Sequence, residues 1–236
     1  MAMGGTISWY TPSVTAIVGV HGIYAIYDHP HPSGLAATDV VSAMLDAGAD
    51  VVQLRAKRAS VAERFGLIER LGPMCLAAGV PLVVNDDAAL ATVDMAGVRG
   101  VHLGQGDLVG AGLPELASRL RSRGQWLGVS THDLRQVSEA NAAGADYLGF
   151  GPVFATQSKD RPDPVVGVDG LARACERSAA PVVAIGGITF DRVGACVRAG
   201  AAAVAIIGAL RGNSAREIAA RVRRVRRGLD EPGSLP

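Results

Sequence analysis

The sequence is poor in lysine, aromatic side chains and cysteine, and it contains no long apolar run. Because no stretch approaches the ~20 apolar residues of a membrane-spanning helix, we do not expect a transmembrane chain. The formal net charge of +1 does not favour a surface field that would attract nucleic acid or a membrane. No Lys or Arg precedes Arg55, so the charged start of a secretory signal peptide is not expected either.

The three cysteines are too few and too widely spaced to form a disulfide framework or a metal site. Cys75, Cys175 and Cys196 are odd in number, and each falls in a stretch with helical spacing. Such cysteines are typical of small buried hydrophobic residues in a reducing compartment. We therefore expect a cytoplasmic protein.

Lysine is rarer still, because only Lys57 and Lys159 occur among the 23 basic residues and all the others are arginines. The chain uses arginine wherever a generic surface cation suffices. The two lysines therefore mark positions where a compact, flexible point charge is needed. The alternative is that two lysines escaped a compositional bias by chance.

What the sequence does contain is typical of a closed α/β fold. Hydrophobic residues make up 49% of the chain, which excludes a disordered protein. Short β-branched or aliphatic runs, apolar on both faces, predict the strands of a parallel sheet covered by helices. Eight such strands are predicted, at residues 22–28, 50–55, 81–85, 100–103, 125–130, 145–150, 181–185 and 203–207. Helices are predicted between them, for example at 61–76 and 134–143.

A weak internal repeat supports this count of strands. The segments DAGADVVQL from Asp46, AAGADYLGF from Ala142 and RAGAAAVAII from Arg198 share one pattern, and MAGVRGVHL from Met95 is a looser copy. In each, a glycine after a helix takes a left-handed conformation and a strand follows. Eight such units predict a single (β/α)8 TIM barrel. An open doubly wound sheet is the alternative, but no G-x-G-x-x-G follows the first strand.

We see no linker or change of composition, so residues 1–236 are interpreted as one domain. Residues 1–20 are predicted to be a short N-terminal extension, and residues 230–236 a frayed tail. The arginine-rich stretch 216–227 could be a nucleic-acid patch, but the solvated face of the last barrel helix is the favoured interpretation.

Polar residues follow almost every predicted strand, and in barrels of this kind the carboxyl ends of the strands form the active site. Asp86 and Asp107, from neighbouring loops, can bind Mg²⁺ while leaving positions for phosphate oxygens. Arg55, Lys57 and Lys159 supply positive charge. Glycine-rich turns after strands 7 and 8 expose backbone N–H groups for a separate phosphate. Two phosphate sites, one of them beside a metal, predict two phosphorylated reactants or one bisphosphate.

Taken singly, several of these residues have plainer interpretations. Either Asp86 or Asp87 could cap a short helix, and Asp107 could serve only its turn. Ser130 is the better site candidate and Thr131 the better helix cap. The five histidines are interpreted without a catalytic role: His102 as a hydrogen-bonded core residue, His132 as an exposed residue at a helix start, and His21, His29 and His31 as loop residues.

Six motifs in order, QLRAK, NDDAALA, GVHLGQGD, LGVSTH, ADYLGFGPVFATQSK and VVAIGGI, resemble the thiamine phosphate synthase family. The resemblance covers residues 22–210, and each motif falls at the end of a predicted strand. It implies a (β/α)8 barrel that uses Mg²⁺. It also implies a transferase that couples a diphosphate (4-amino-2-methyl-5-hydroxymethylpyrimidine diphosphate) to a thiazole phosphate, releasing thiamine phosphate and pyrophosphate. The implied route is dissociative: pyrophosphate leaves a stabilised cation, which the thiazole nitrogen then attacks.

The resemblance also implies roles for individual residues. Those that contact the pyrimidine diphosphate would be Gln53, Arg55, Lys57, Asn85, Ser130 and Lys159, and the catalytic ones among them Arg55, Lys57, Ser130 and Lys159. Those that meet the thiazole phosphate would be Thr156, Gln157, Ser158, Gly187, Ile207 and Gly208. The implied Mg²⁺ ligands are Asp86 and Asp107. The chain departs from the family at Ala56, Ser158 and Gly208, where an acidic residue, Thr and Ser are common.

Two rival functions remain open at this point. One is a thiazole tautomerase, a relative on the same barrel that need not keep the metal carboxylates. The other is a non-catalytic regulator that binds a phosphorylated ligand. The departures from the family at Ala56 and Gly208 are compatible with this function. The expected partners are small-molecule substrates rather than nucleic acid or a membrane, and assembly into a homo-oligomer is left open.

Overall fold

The computed structural model describes residues 19–108, 112–156 and 163–231, and the eight strands found there close into a parallel barrel. Neighbouring strands follow the order of the sequence, and β8 pairs with β1 to complete the ring. The strands are β1 (Gly22–Asp28), β2 (Val51–Arg55), β3 (Leu82–Asn85), β4 (Val98–Leu103), β5 (Trp126–Thr131), β6 (Tyr147–Phe150), β7 (Val182–Ile185) and β8 (Ala203–Ile206). The predicted (β/α)8 barrel is therefore confirmed, and the doubly wound sheet is wrong.

Helices connect the strands on the outside of the barrel. They are α1 (Ala37–Asp46), α2 (Val61–Ala77), α3 (Ala88–Ala91), α4 (Leu113–Ser122), α5 (Leu134–Ala142), α6 (Gly167–Arg177), α7 (Val193–Arg198) and α8 (Ala215–Asp230). Single 3₁₀ turns lie at Gln105–Leu108, Phe190–Arg192 and Gly208–Leu210. No helix in the described ranges combines the length and apolar composition that a membrane span requires.

Local sequence signals explain where the elements begin and end. Ser60 and Glu63 form a reciprocal capping box at the start of α2, which satisfies backbone N–H groups that the helix leaves unpaired. The predicted left-handed glycines at the helix-to-strand joints are confirmed, with φ of 92° at Gly48, 79° at Gly144 and 93° at Gly200. The last helix extends to Asp230, so the expected fraying does not begin there. Residues 1–18 and 232–236 lie outside the described residues.

The apolar side chains form two separate layers, as alternation along barrel strands requires. The larger layer lies between the barrel and the helices, and it includes Ala56. A smaller cluster fills the barrel interior, with Tyr24, Trp126 and Tyr147 among its members. Because Ala56 lies in the outer layer, its side chain points away from the barrel axis. The family's acidic residue is therefore missing from the outside of the strand, not from the cavity.

The interpretation of Thr131 as a helix cap is wrong. Its hydroxyl donates a hydrogen bond to the Gly149 carbonyl oxygen at 3.1 Å, and the residue is fully buried at the end of β5. Asp133 caps α5 instead, because its carboxylate accepts a hydrogen bond from the Gln136 N–H at 2.8 Å. A carboxylate two residues further on is better placed at the helix N-terminus.

Candidate functional site

A cavity of about 520 Å³ opens at the carboxyl ends of the strands, where the sequence places the functional residues. It is large enough for a ligand of small-molecule size. The predicted site residues that line it are Gln53, Arg55, Lys57, Asn85, Asp86, Ser130, Thr156, Gly187, Ile207 and Gly208. The predicted residues Gln157, Ser158 and Lys159 lie outside the described residues. Asp107 is described and interacts with the cavity-lining Asp86, but it is not itself one of the residues that line the cavity.

The two cations at the end of β2 are held by different carboxylates. Arg55 donates to Asp28, at the end of β1, with 2.5 Å between Nη1 and Oδ1. Asp28 is also approached at 3.4 Å by Arg211, which lies beyond β8. The Lys57 ammonium lies 2.9 Å from the Asp86 carboxylate. The pairs fix both cations at the rim of the cavity, and Asp28, which could not be identified from the sequence, acts through Arg55 rather than by lining the cavity.

Asp86 and Asp107 converge on the loop after β4. Asp107 accepts a hydrogen bond from the Gly104 N–H at 3.2 Å, so it closes its own turn as well as facing Asp86. Partial burial and then the negative charge of Asp86 raise the pKa of Asp107. Burial also acts to raise the pKa of Asp86, but hydrogen bonding and charge from Lys57, together with a hydrogen bond to Asp107, bring it below its ordinary value. Two carboxylates that repel one another in this way fit a cation between them.

The question of which aspartate caps the following helix is settled by the geometry. Asp87 accepts a hydrogen bond from the Leu90 N–H at 3.0 Å and so caps α3, while Asp86 does not. Asp86 instead has a φ of 60°, an unusual left-handed conformation for a residue other than glycine. The backbone strain points the Asp86 carboxylate at Lys57 and Asp107, which suits a ligand-binding role better than a cap.

Across the described parts of the chain, no group of three or more His, Cys, Asp and Glu side chains could hold a metal. A cation at Asp86 and Asp107 would thus take its other ligands from a phosphorylated substrate and water. Mg²⁺ is commonly bound in this way, through one or two carboxylates and substrate phosphates. The pair of carboxylates therefore fits that ion.

Asn85, at the end of β3, carries a buried amide nitrogen, Nδ2, for which the described structure supplies no hydrogen-bond partner. Because an unpaired buried donor is costly, such a group in a cavity wall indicates a ligand contact. Ser130, at the end of β5, lines the same cavity, and its Oγ lies 2.9 Å from His102 Nε2. Both residues thus place polar groups in the wall of the cavity.

A continuous series of hydrogen bonds crosses the barrel interior, and all five of its residues line the cavity. Gln53 Nε2 donates to the Tyr24 hydroxyl at 2.9 Å, and the Tyr24 and Tyr147 hydroxyls lie 2.8 Å apart. The Tyr147 hydroxyl is 3.1 Å from His102 Nδ1, and His102 Nε2 completes the series at Ser130. His102 is thus a buried, hydrogen-bonded histidine as predicted, but it also lines the cavity.

The other side of the cavity is formed by backbone rather than by charged side chains. Gly186 and Gly187, after β7, have φ of 96° and 63°. A Cβ on Gly187 would overlap the carbonyl oxygens of Phe154, at 2.7 Å, and of Ala155. Gly208, after β8, has open space around it, because a Cβ there would meet nothing within 4 Å. Gly187 is therefore required for steric reasons, whereas the space around Gly208 would accept a side chain.

Arg192 contributes a charge to this side that the sequence analysis did not identify. Its guanidinium lies over the Phe154 ring, 4.7 Å from the centroid, and donates to the Gly187 carbonyl oxygen at 2.8 Å. The β7–β8 side of the cavity therefore carries a side-chain charge as well as backbone N–H groups. Arg192 lies several residues beyond the strand, in a chain where arginine is too common to mark a site.

His132 was expected to be an exposed residue at a helix start, and this is wrong. It is partly buried and lines the cavity. Its Nδ1 lies 2.5 Å from the Gly151 carbonyl oxygen and its Nε2 3.4 Å from the Asp163 carboxylate. The imidazole thus connects the end of β5 to the two ends of the long loop after β6.

The fold and this cavity define a (β/α)8-barrel protein with a cavity at the carboxyl ends of its strands. A family model described as thiamine monophosphate synthase matches residues 23–210, which is most of the barrel. The chain belongs to that family, as its six strand-end motifs indicated.

Curated relatives and a solved structure agree with this membership. A thiamine-phosphate synthase of Levilactobacillus brevis is 38% identical over 83% of this chain and 89% of its own length. A bifunctional thiamine biosynthesis protein of Geobacter sulfurreducens is 40% identical over 81% of this chain, which spans 37% of that longer protein. The structure of thiamine phosphate pyrophosphorylase from Pyrococcus furiosus matches with a TM-score of 0.76 and 27% identity, over 90% of this chain and 97% of that one.

Proposed function

We propose that this cavity joins the pyrimidine diphosphate to a thiazole phosphate, giving thiamine phosphate and pyrophosphate. As a member of the family, the chain is an enzyme, a transferase of thiamine biosynthesis. The observation that carries the assignment of the site is the convergence of Lys57, Asp86 and Asp107 at one rim of the cavity. A cation and two carboxylates in that arrangement suit a diphosphate with a divalent metal.

The diphosphate belongs on the β2–β4 side of the cavity. Negative charge develops on the departing pyrophosphate, and Arg55 and Lys57 stand at the rim to stabilise it, with Lys159 as a further cation. Asp86 and Asp107 would hold Mg²⁺, whose charge offsets that of the diphosphate when the ion is bound. Arg55 is held in place by Asp28, so its guanidinium does not need to be ordered when the substrate binds.

The pyrimidine ring belongs deeper in the cavity, between the diphosphate site and the barrel interior. Asn85 Nδ2, which has no partner among the described residues, and the Ser130 hydroxyl supply polar contacts there, and Gln53 also lines the cavity. Apolar side chains, Val183 and Ile185 among them, form the facing wall. A wall of this kind keeps water from the cation that forms when pyrophosphate leaves, which would otherwise be hydrolysed.

The thiazole phosphate belongs on the β7–β8 side. Backbone N–H groups at Gly187, Ile207 and Gly208 can donate to a phosphate, with Thr156 close by on the β6 loop. Gln157 and Ser158 continue that loop, and Arg192 adds a positive charge beside Gly187. This placement brings the thiazole nitrogen toward the pyrimidine across the cavity, so that positioning rather than acid–base chemistry drives the coupling.

We place the enzyme in a reducing cytoplasm, with small molecules as its substrates. All three cysteines are free thiols. Burial raises the pKa of Cys75 and of Cys196 to about 12, so their reactive thiolates are scarce at neutral pH. Such thiols serve as packing groups and need no oxidising compartment.

The decisive experiment is to incubate the purified chain with both precursors, with and without Mg²⁺, and to follow thiamine phosphate and pyrophosphate by chromatography. We expect both products in equal amounts, only when both substrates and the metal are present. Isomerisation of the thiazole alone would indicate the tautomerase. Binding of either phosphate compound without turnover would indicate the regulator, and either result would contradict the proposal.

A further inference from the structure

The hydrogen-bond series that lines the cavity, from Gln53 through Tyr24, Tyr147 and His102 to Ser130, is built into the strands that carry it. A Cβ on Gly128 of β5 would overlap the Tyr147 ring, and one on Gly149 of β6 would lie 3.0 Å from His102 Cε1. The two glycines leave the space that these rings occupy. The His102 and Tyr147 rings are stacked, with their centroids 5.5 Å apart.

Each hydroxyl in the series has one hydrogen, so the bonds cannot be arranged independently. Burial raises the pKa of Tyr24 and of Tyr147 well above the ordinary value, and both phenols therefore keep their hydrogen. Tyr24 accepts from the Gln53 amide and must find an acceptor for its own hydrogen. The Tyr147 oxygen, 2.8 Å away, is that acceptor. A buried O–H left without one would be costly.

The same requirement for an acceptor applies to the next groups in the series. Tyr147 accepts from Tyr24, so its own hydrogen goes to His102 Nδ1. An imidazole that accepts at Nδ1 carries its proton on Nε2, which donates to the Ser130 oxygen. Ser130 then has its hydroxyl hydrogen available for the cavity that it lines.

We propose that Gln53 sets the direction of this series, so that His102 is the Nε2–H tautomer and Ser130 acts as a hydrogen-bond donor toward the ligand. The chemistry that fits such a donor is an aromatic ring nitrogen with a free lone pair, as in a pyrimidine. The ligand part of the inference rests on the proposed function, whereas the direction of the series does not. Tyr24, Tyr147 and His102 are in this account positioning residues that act through Ser130.

The test reads the tautomer directly in the substrate-free protein. Two-bond ¹H–¹⁵N correlation spectra of histidine-labelled protein distinguish the two neutral forms, and the His102→Gln spectrum identifies the signals of His102 by their loss. We expect the Nε2–H form. The Nδ1–H form, or an imidazole protonated on both nitrogens, would overturn the inference.

Two variants test whether Gln53 is the origin of the direction. A carboxylate at this position can only accept, so Gln53→Glu is expected to reverse the series and to move the His102 proton to Nδ1. Tyr24→Phe interrupts the series beyond Gln53, and the Nδ1–H form is then expected to appear beside the Nε2–H form. Unchanged Nε2–H signals in whichever of these variants folds would overturn the inference.

Tyr27→Phe is the matched control. It removes a hydroxyl from the same strand, but that hydroxyl is paired with His29 Nδ1 at 2.9 Å and lies outside the series. We expect no change at His102, and a change there would overturn the inference because the effect of Tyr24→Phe would not be specific.

Kinetics then separate this inference from the proposed function. Tyr24→Phe is expected to raise KM for the pyrimidine diphosphate about 2- to 10-fold, with KM for the thiazole phosphate unchanged, because one hydrogen bond to the ring is weakened. A chain that forms thiamine phosphate but holds His102 as Nδ1–H overturns the inference alone. A chain with the expected tautomers that forms no thiamine phosphate overturns the proposed function and leaves the direction of the series supported.

Discussion

The two sides of the cavity present positive groups to a phosphate by different means. On the β2–β4 side, Arg55 and Lys57 offer full charges, each paired with a carboxylate that holds it in place. On the β7–β8 side, glycine turns offer backbone N–H groups. Arg192, which donates to the Gly187 carbonyl oxygen, adds a side-chain charge there. The β2–β4 side suits a leaving group on which negative charge develops during the reaction. The β7–β8 side suits a phosphate that only anchors its substrate.

The difference teaches that stabilising a transition state and holding a ground state call for different groups. A developing charge is best met by strong, fixed charges that face it as it forms. The contacts to a phosphate that only anchors its substrate need not become stronger during the reaction, so backbone dipoles suffice. Four substitutions follow from this comparison, and the first is expected to be the most damaging.

Asp107→Asn should reduce activity at limiting Mg²⁺ about 100-fold or more, because one of the two carboxylates proposed to hold the metal is lost. The side chain keeps its size, and an amide oxygen can still accept from the Gly104 N–H, so thermal unfolding should change little. The measurement is initial rate against Mg²⁺ concentration. Asp94→Asn, at an exposed position, is the control and should match the wild type. Wild-type rates for Asp107→Asn would mean that Asp107 serves only its turn.

Gly187→Ala should damage the β7–β8 side without touching a charge. A side chain at φ 63° costs about 1–3 kcal/mol, and overlap with the Phe154 and Ala155 carbonyls adds to this. We expect a lower free energy of unfolding in denaturant and a raised KM for the thiazole phosphate.

Gly208→Ala is the matched control for this substitution, because its Cβ meets nothing within 4 Å and the glycine does not have a positive φ. It should leave the free energy of unfolding near that of the wild type. Equal losses of stability in the two variants would contradict the steric role assigned to Gly187 alone.

Asp28→Asn should raise KM for the pyrimidine diphosphate about 10-fold, because Arg55 loses the carboxylate charge that holds it in place. The thiazole phosphate KM should not change. Arg211→Gln removes the other, longer contact of Asp28 and keeps the Arg55 pair, so it serves as the control. If both variants raise KM equally, Asp28 acts through Arg211 and not through Arg55.

Gly208→Ser is the mildest test and the one expected to improve binding. The space around Gly208 accepts the side chain, and the hydroxyl restores a donor that is common in the family. One added hydrogen bond of about 0.5–1.5 kcal/mol would lower KM for the thiazole phosphate about 2- to 10-fold. Steady-state kinetics with each substrate varied in turn would show it. A rise in KM for the pyrimidine diphosphate, with the other KM unaltered, would mean that the two phosphate sites are assigned the wrong way round.

The fold was largely predictable because strand alternation and helix joints are local signals. The structure starts β4 at Val98, two residues before the predicted start, and moves other predicted bounds by one or two residues. Residues at strand ends could be placed in the cavity from the same rule, as Lys57 and Asp86 show. Where two local interpretations competed, as at Thr131, burial decided and the sequence alone could not.

Contacts across the barrel could not be predicted in the same way. Tyr24 and Tyr147 are 123 residues apart, and their hydroxyls meet only because the strands tilt and stagger to bring both rings to one level. The pair of Asp28 with Arg211 spans 183 residues. Arg192 was hidden for a compositional reason, because arginine is so frequent that one more carries no signal.

The scarcity of lysine, finally, makes the enzyme suited to selective chemical labelling. Lys57 stands at the mouth of the cavity with about half of its side chain exposed (52%), beside Asp86. The other lysine, Lys159, falls in the loop that carries the ATQSK motif. Apart from the terminal amino group, an amine-reactive reagent therefore has only these two targets. Acylation slowed by a bound diphosphate, followed by mass spectrometry, would report occupancy of the cavity without any engineered tag.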